Sequence, residues 1–121
     1  MEKQPFSIRN RIKSFGYAFE GLQQFFKSEH NARVHLVAAI IAILLGIYLH
    51  ISKLEWLILI LTIAIVLMAE MFNTCIELIA DHITKERHPH IKLIKDIAAG
   101  GVLITAIAAF IIGCIIFLPK L

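Results

Sequence analysis

Residues 64–81, AIVLMAEMFNTCIELIAD, open like the inside of a membrane helix and then admit Glu70, Asn73, Glu77 and Asp81. At ~100° per residue, Glu70, Glu77 and Asp81 fall within about 20° of a common direction, with Asn73 about 60° to one side. They form one polar stripe on an apolar helix. A rise of ~1.5 Å per residue sets Glu70 about 10 Å further along the axis than Glu77. A charge near the bilayer centre costs at least ~2.5 to 3.5 kcal/mol, so such a stripe requires partners, water or a function.

The rest of the chain supplies the membrane that this reading needs. Of its 121 residues, 59% are hydrophobic and only 17% charged, too apolar for a small soluble domain. Apolar runs cover 34–51, 56–80 and 97–118, and each approaches the ~20 residues that span a ~30 Å hydrocarbon core as a helix. The expectation is an all-α membrane protein with three transmembrane helices in a single domain, 1–121. More than thirty charge-rich residues precede the first run, which argues against a cleaved signal peptide. Cys75 and Cys114 lie in apolar runs and no CxxC spacing exists, so a disulfide or cysteine metal site is not expected. The net charge of +3 comes with no recognition motif for nucleic acid, so no nucleic-acid partner is expected.

The cations act as topology signals instead. Lys3, Arg9, Arg11, Lys13, Lys27 and Arg33 precede the first run and Lys85, Arg87, Lys92 and Lys95 separate the second from the third, leaving Lys53 and Lys120 for the other side. Positive charge favours the cytoplasmic face, which predicts a cytoplasmic N-terminus and an outside C-terminus, with Trp56 at the interface. Ahead of the first run, Ile8, Ile12, Phe15, Phe19, Leu22 and Phe26 recur at intervals of three and four. That spacing predicts an amphipathic helix within 1–30, lying in the membrane surface as an anchor or as a wall beside a lipid site.

More polar groups gather at the same leaflet. Glu29 and Arg33 stand where the surface helix gives way to the first span, and Lys95 and Asp96 where the third begins. Glu29 with Glu77 could hold magnesium, a hard cation that takes carboxylate, phosphate and water oxygens. Lys95 could neutralise phosphate. Each has a plain structural account beside this: Glu29 pairing with Arg33, Lys95 snorkelling, Asn73 bonding between helices. A proton- or ion-conducting oligomer with Glu70, Glu77 and Asp81 as a relay explains the stripe. It leaves the gathering of every charge at one leaflet unexplained. A small accessory membrane subunit would need no stripe at all.

The segment Glu70 to Glu77 followed by Asp81 resembles the E-x-x-N-[ST]-x-x-E-x-x-x-D signature of the small bacterial integral-membrane diacylglycerol kinase family, which includes undecaprenol kinases. His88-Pro89 through Lys95-Asp96-Ile97-Ala98-Ala99-Gly100 resembles its second motif, and Phe15 to Gly21 with Glu29 to Arg33 its N-terminal part. The resemblance covers nearly the whole chain. It implies a lipid kinase of the bacterial inner membrane, a homotrimer with active sites shared between subunits, using ATP and Mg to phosphorylate a membrane lipid. On it, Glu70 is the general base with Asn73 beside it, Glu29 and Glu77 hold magnesium, and Tyr17, Glu86, His88, Lys95 and Asp96 line the nucleotide. Asn10 departs from the pattern, since some members carry arginine there. No GxxxxGK loop is present, so the nucleotide site is not of the P-loop kind. Ala98-Ala99-Gly100-Gly101 would allow close packing against a neighbour. The stripe itself, poorly covered by three helices of one subunit, also predicts an oligomer. His88-Pro89 and the Ala-Ala-Gly-Gly run look more like members acting on undecaprenol than on diacylglycerol.

Overall fold

Capping chemistry, more than hydropathy, sets where the helices begin and end. In the computed structural model, residues 5–121 are described, and they form α1 (Ile8–Ser28), α2 (His30–Tyr48), α3 (Lys53–Ile83) and α4 (Pro89–Phe117), followed by a 3-10 turn at Leu118–Lys120. Lys3, one of the expected topology signals, lies outside the described residues. Three stretches, His30–Tyr48, Lys53–Ile83 and Pro89–Lys120, are long and apolar enough to cross a membrane. All three begin ahead of the apolar runs 34–51, 56–80 and 97–118. α3 starts at a capping box: the Ser52 hydroxyl accepts from the Glu55 N–H at 3.1 Å, and the Glu55 carboxylate accepts from the Ser52 N–H at 2.9 Å. α4 starts at Pro89, whose missing N–H costs nothing in a first turn, with His88 as N-cap accepting from the His90 N–H at 3.2 Å.

α2 ends short of the expected position 51. Its C-terminus closes as a Schellman turn, with the Ile51 N–H donating to the Gly46 carbonyl at 3.2 Å and the His50 N–H to the Ile47 carbonyl at 3.3 Å. That turn needs a left-handed residue, and His50 takes it at φ 51° where glycine is usual. Ile51 is thereby folded back and buried against the bundle. A Cβ at Gly46 would lie 3.0 Å from Ile51 Cδ1 and 3.0 Å from Trp56 Cη2, so Gly46 makes room for both. Trp56 packs inward here, four residues into α3.

The hairpin of α3 and α4 is tied at both ends. Lys120 Nζ donates to Glu55 Oε2 at 2.8 Å across 65 residues of sequence, and Lys95 pairs with Asp81 at the opposite end. The apolar core, Ile51, Leu59, Ile116 and Phe117 with Trp56, Ile63 and Ile112 against it, sits towards the Glu55–Lys120 end. α2 lies against α3 through residues seven apart, Ala32, Ala39 and Gly46, all buried. Small side chains at that spacing let two helix backbones approach closely. Around this interior the outer faces are apolar: Leu57, Ile60, Ile104 and Phe110 are all exposed. Those are the surfaces a bilayer or another subunit covers.

α1 opens with Ser7 accepting from the Asn10 N–H at 3.4 Å and presents Ile8, Ile12, Phe15 and Phe19 exposed along one side. At its last turn Phe25 is buried and Phe26 only half-buried, so the contact with α2 comes from the face beside the expected stripe. A single residue, Glu29, separates the two helices; its φ −103° and ψ 116° are extended, which is sufficient to break the helix. Gly100 and Gly101, expected to pack closely, have nothing within 4 Å of an added Cβ. Within one chain that small run has no neighbour.

Candidate active site

The polar stripe of α3 divides by burial. Glu70 is 3% exposed, and Asn73 and Thr74 are buried with it, while Glu77 is half-buried and Asp81 is exposed. The expectation that a single subunit covers the stripe poorly is therefore corrected at its deep end, and holds for Glu77 and Asp81. His35 of α2 approaches Glu70 from within the same chain. Asp81 falls beyond this cover and turns to Lys95 of α4.

Within the buried part, Asn73 Nδ2 donates to Glu77 Oε1 at 3.1 Å, one helical turn along. Three atoms have no hydrogen-bond partner: Glu70 Oε2, Asn73 Oδ1 and Thr74 Oγ1. A buried polar atom left unpaired costs about 1 to 3 kcal/mol, and protein interiors seldom carry three together without a use for them. Nε2 of His35 on α2 lies 3.4 Å from Glu70 Oε2. That separation permits attraction between charges but does not make an aligned hydrogen bond. His35 stands two residues past the Glu29–Arg33 segment, at the start of the apolar run 34–51, and no spacing pattern marks it. The usable signal was its position, since an ionisable residue inside a membrane span is functional by default.

A second group of residues surrounds an open cavity of about 610 Å³ at the α3–α4 loop. Glu86, His88 and Lys95, expected around the nucleotide, line this cavity, joined by Asp81, Lys85, Arg87 and Lys92. Four cations against two carboxylates give this cavity the charge that attracts phosphate. Inside it the Glu86 N–H donates to the Thr84 hydroxyl at 3.1 Å. Lys95 is held by Asp81, and Lys92 donates to Asp96 at 2.6 Å, so Asp96 is engaged on the helix surface and does not line the cavity.

Tyr17 and Glu29 belong to neither group. Tyr17 is 68% exposed on α1. Glu29 caps α1 and α2 with its backbone alone: its side chain makes no capping bond, and among the described residues it forms no ion pair with Arg33. Among the described residues no three His, Cys, Asp or Glu side chains gather tightly enough to hold a metal by themselves. Magnesium seldom asks for that, since one or two carboxylates and the oxygens of a substrate phosphate suffice. Glu29, with its carboxylate unspent, and Glu77, with one oxygen committed to Asn73, are donors of the right kind.

A family model described as prokaryotic diacylglycerol kinase matches residues 16–117. The chain is similar to undecaprenol kinase of Bacillus subtilis, 40% identical over 110 residues covering 91% of this chain and 89% of that protein. It is 35% identical to diacylglycerol kinase of Synechocystis over 93% of this chain and 65% of that protein. With diacylglycerol kinase of Escherichia coli K12 it shares 31% identity over 87% of this chain and 86% of that one.

Proposed function

Because the chain belongs to the prokaryotic diacylglycerol kinase family of membrane lipid kinases, we propose that it transfers the γ-phosphate of ATP to a membrane lipid hydroxyl with Glu70 as general base. The observation that carries this is the buried Glu70 carboxylate with Oε2 unpaired. A base kept out of water retains its oxygens for the incoming hydroxyl. Asn73 stands one turn away and keeps Glu77 in place through its amide. Glu77 and Glu29 would hold magnesium, which when bound neutralises charge on the ATP phosphates. Lys95, His88 and Glu86 at the basic cavity, with Asp96 and Tyr17 nearby in the assembled enzyme, would hold the nucleotide.

Phosphoryl transfer asks mainly for positioning and charge neutralisation. ATP arrives from the cytoplasm at the charged loop, and the lipid arrives sideways from the bilayer at the deeper Glu70. We favour undecaprenol as the acceptor, supported by the higher identity to the relative bearing that name and by the His88-Pro89 and Ala98–Gly101 segments. The enzyme would work as a homotrimer in a bacterial cytoplasmic membrane, its N-terminus inside, its C-terminus outside and α1 along the surface. Joining Glu29 and Tyr17 of one chain to the loop cavity of another is what such an assembly supplies.

Purified protein given radiolabelled ATP, magnesium and a panel of lipids should label undecaprenol, with diacylglycerol the competing outcome. ATP-independent proton flux through vesicles, with no lipid labelled, would show instead the conducting oligomer that the acidic stripe also suits.

A further inference from the structure

The Glu70 reading leaves its proton without a destination. Transfer breaks the O–H bond of the lipid, forms a new P–O bond to the γ-phosphorus and breaks the bridging bond that releases ADP. The hydroxyl proton then sits on Glu70, which is 3% exposed and has no aligned partner of its own. Before another turnover it has to leave.

We propose that His35 is the positioning and proton-accepting partner of Glu70. Its Nε2 lies 3.4 Å from Glu70 Oε2, on the opposing helix, at a fully buried carboxylate oxygen that has no hydrogen-bond partner among the described residues. Oε1 then faces the lipid hydroxyl while Oε2 faces the ring. After transfer the proton passes from the carboxyl to Nε2, the ring, 23% exposed in the single chain, gives up its Nδ1 proton to water, and exchange with water restores the Nδ1–H tautomer before the next turnover. The other ionisable group near Glu70 on α3 is Glu77, which is committed to Asn73. His35 lines a cavity of about 330 Å³ whose α4 wall is Ala106, Ala109, Phe110, Gly113 and Phe117, none of them titratable. Among the described residues, His35 is the ionisable side chain paired with Glu70. This rests on Glu70 being the base.

That cavity also provides the test. His35 is part of its wall, so His35→Ala opens a space continuous with about 330 Å³ of existing room, enough for a free azole to enter. His35→Ala should lower kcat about 10²-fold or more while KM for ATP stays within about threefold, because the loss falls on proton transfer and not on nucleotide binding. Added imidazole should restore turnover, whereas pyrazole, of the same size but far less basic, should not. His35→Gln, which fills the site and can still donate a hydrogen bond, should fold normally and be as slow as His35→Ala. Ordinary turnover in either variant, equal rescue by both azoles, or failure of both variants to fold would each overturn the proposal and leave the ring a packing role. If Glu70→Gln is itself active, the base assignment fails; if Glu70→Gln is inactive and His35→Ala is not, the partner assignment alone fails.

Discussion

A carboxylate that is 3% exposed, in a helix that crosses a membrane, is a costly residue to keep, and its neighbours state what it is kept for. Glu70 and Glu77 are seven residues apart on one helix and in different surroundings, one sealed with an oxygen unpaired, the other half-buried and bonded to Asn73. Their amide variants should therefore differ. Glu70→Gln should retain ATP binding and lose turnover by about 10² to 10⁴, since an amide cannot take the hydroxyl proton. Glu77→Gln should weaken ATP binding first and recover in part as magnesium is raised. Titrating both with magnesium in the lipid phosphorylation assay separates them, and identical responses would remove the division into base and metal site. At this scale the sequence showed its acidic residues through spacing alone. It could not show His35, because nothing in a linear pattern reveals which side chain of α2 faces Glu70. It misjudged the cover over Glu70 for a related reason: Ala32, Ala39 and Gly46 look unremarkable until their seven-residue spacing brings α2 against α3.

Helix ends were legible only where a cap writes them into the sequence. Ser52 with Glu55 and His88-Pro89 are such marks, and apolar runs misplace both starts because a helix continues through polar residues once begun. The α2–α3 turn shows the opposite situation, with a residue that works against its own conformation. His50 occupies left-handed space at φ 51°, which costs a residue bearing a Cβ roughly 1 kcal/mol or more. His50→Gly should raise thermal stability by up to about 1 kcal/mol, read as a higher midpoint of inactivation in detergent, with the lipid assay unchanged. Gly46 has the reverse requirement. Gly46→Leu would drive into Ile51 and Trp56, and should cost about 1 to 3 kcal/mol in the same melt. A variant that melts with the parent would mean the turn is looser than its Schellman bonds imply.

Taken whole, the chain has two unlike ends. One is tied by Glu55 and Lys120 beside a small apolar core; the other carries Asp81, the loop cations and the basic cavity. Ten of the twelve lysines and arginines lie before the first apolar run or between the second and third, and from this asymmetry His90→Cys should label from the cytoplasmic side and Lys53→Cys from the outside. Labelling of both from one side would end the three-span arrangement. Assembly follows from what a single chain leaves apart: Tyr17 and Glu29 on one hand, Glu86, His88 and Lys95 on the other. Strictly monomeric protein should accordingly be inactive, and full activity in a monomer would refute shared sites. The span count could be read from composition because a bilayer imposes a length on every crossing. The assembly could not, since exposed apolar side chains serve lipid and subunit contacts equally well.

The sealing of Glu70 has one more consequence, for fidelity. Water is a small hydroxyl compound far more abundant than any lipid, and a kinase with an open base would activate it and hydrolyse ATP to no purpose. On the proposal that Glu70 is the base, its burial turns solvent away from it, and the acceptor alcohol has to reach it from the bilayer side. Selection against water would then reside in the packing around that one side chain.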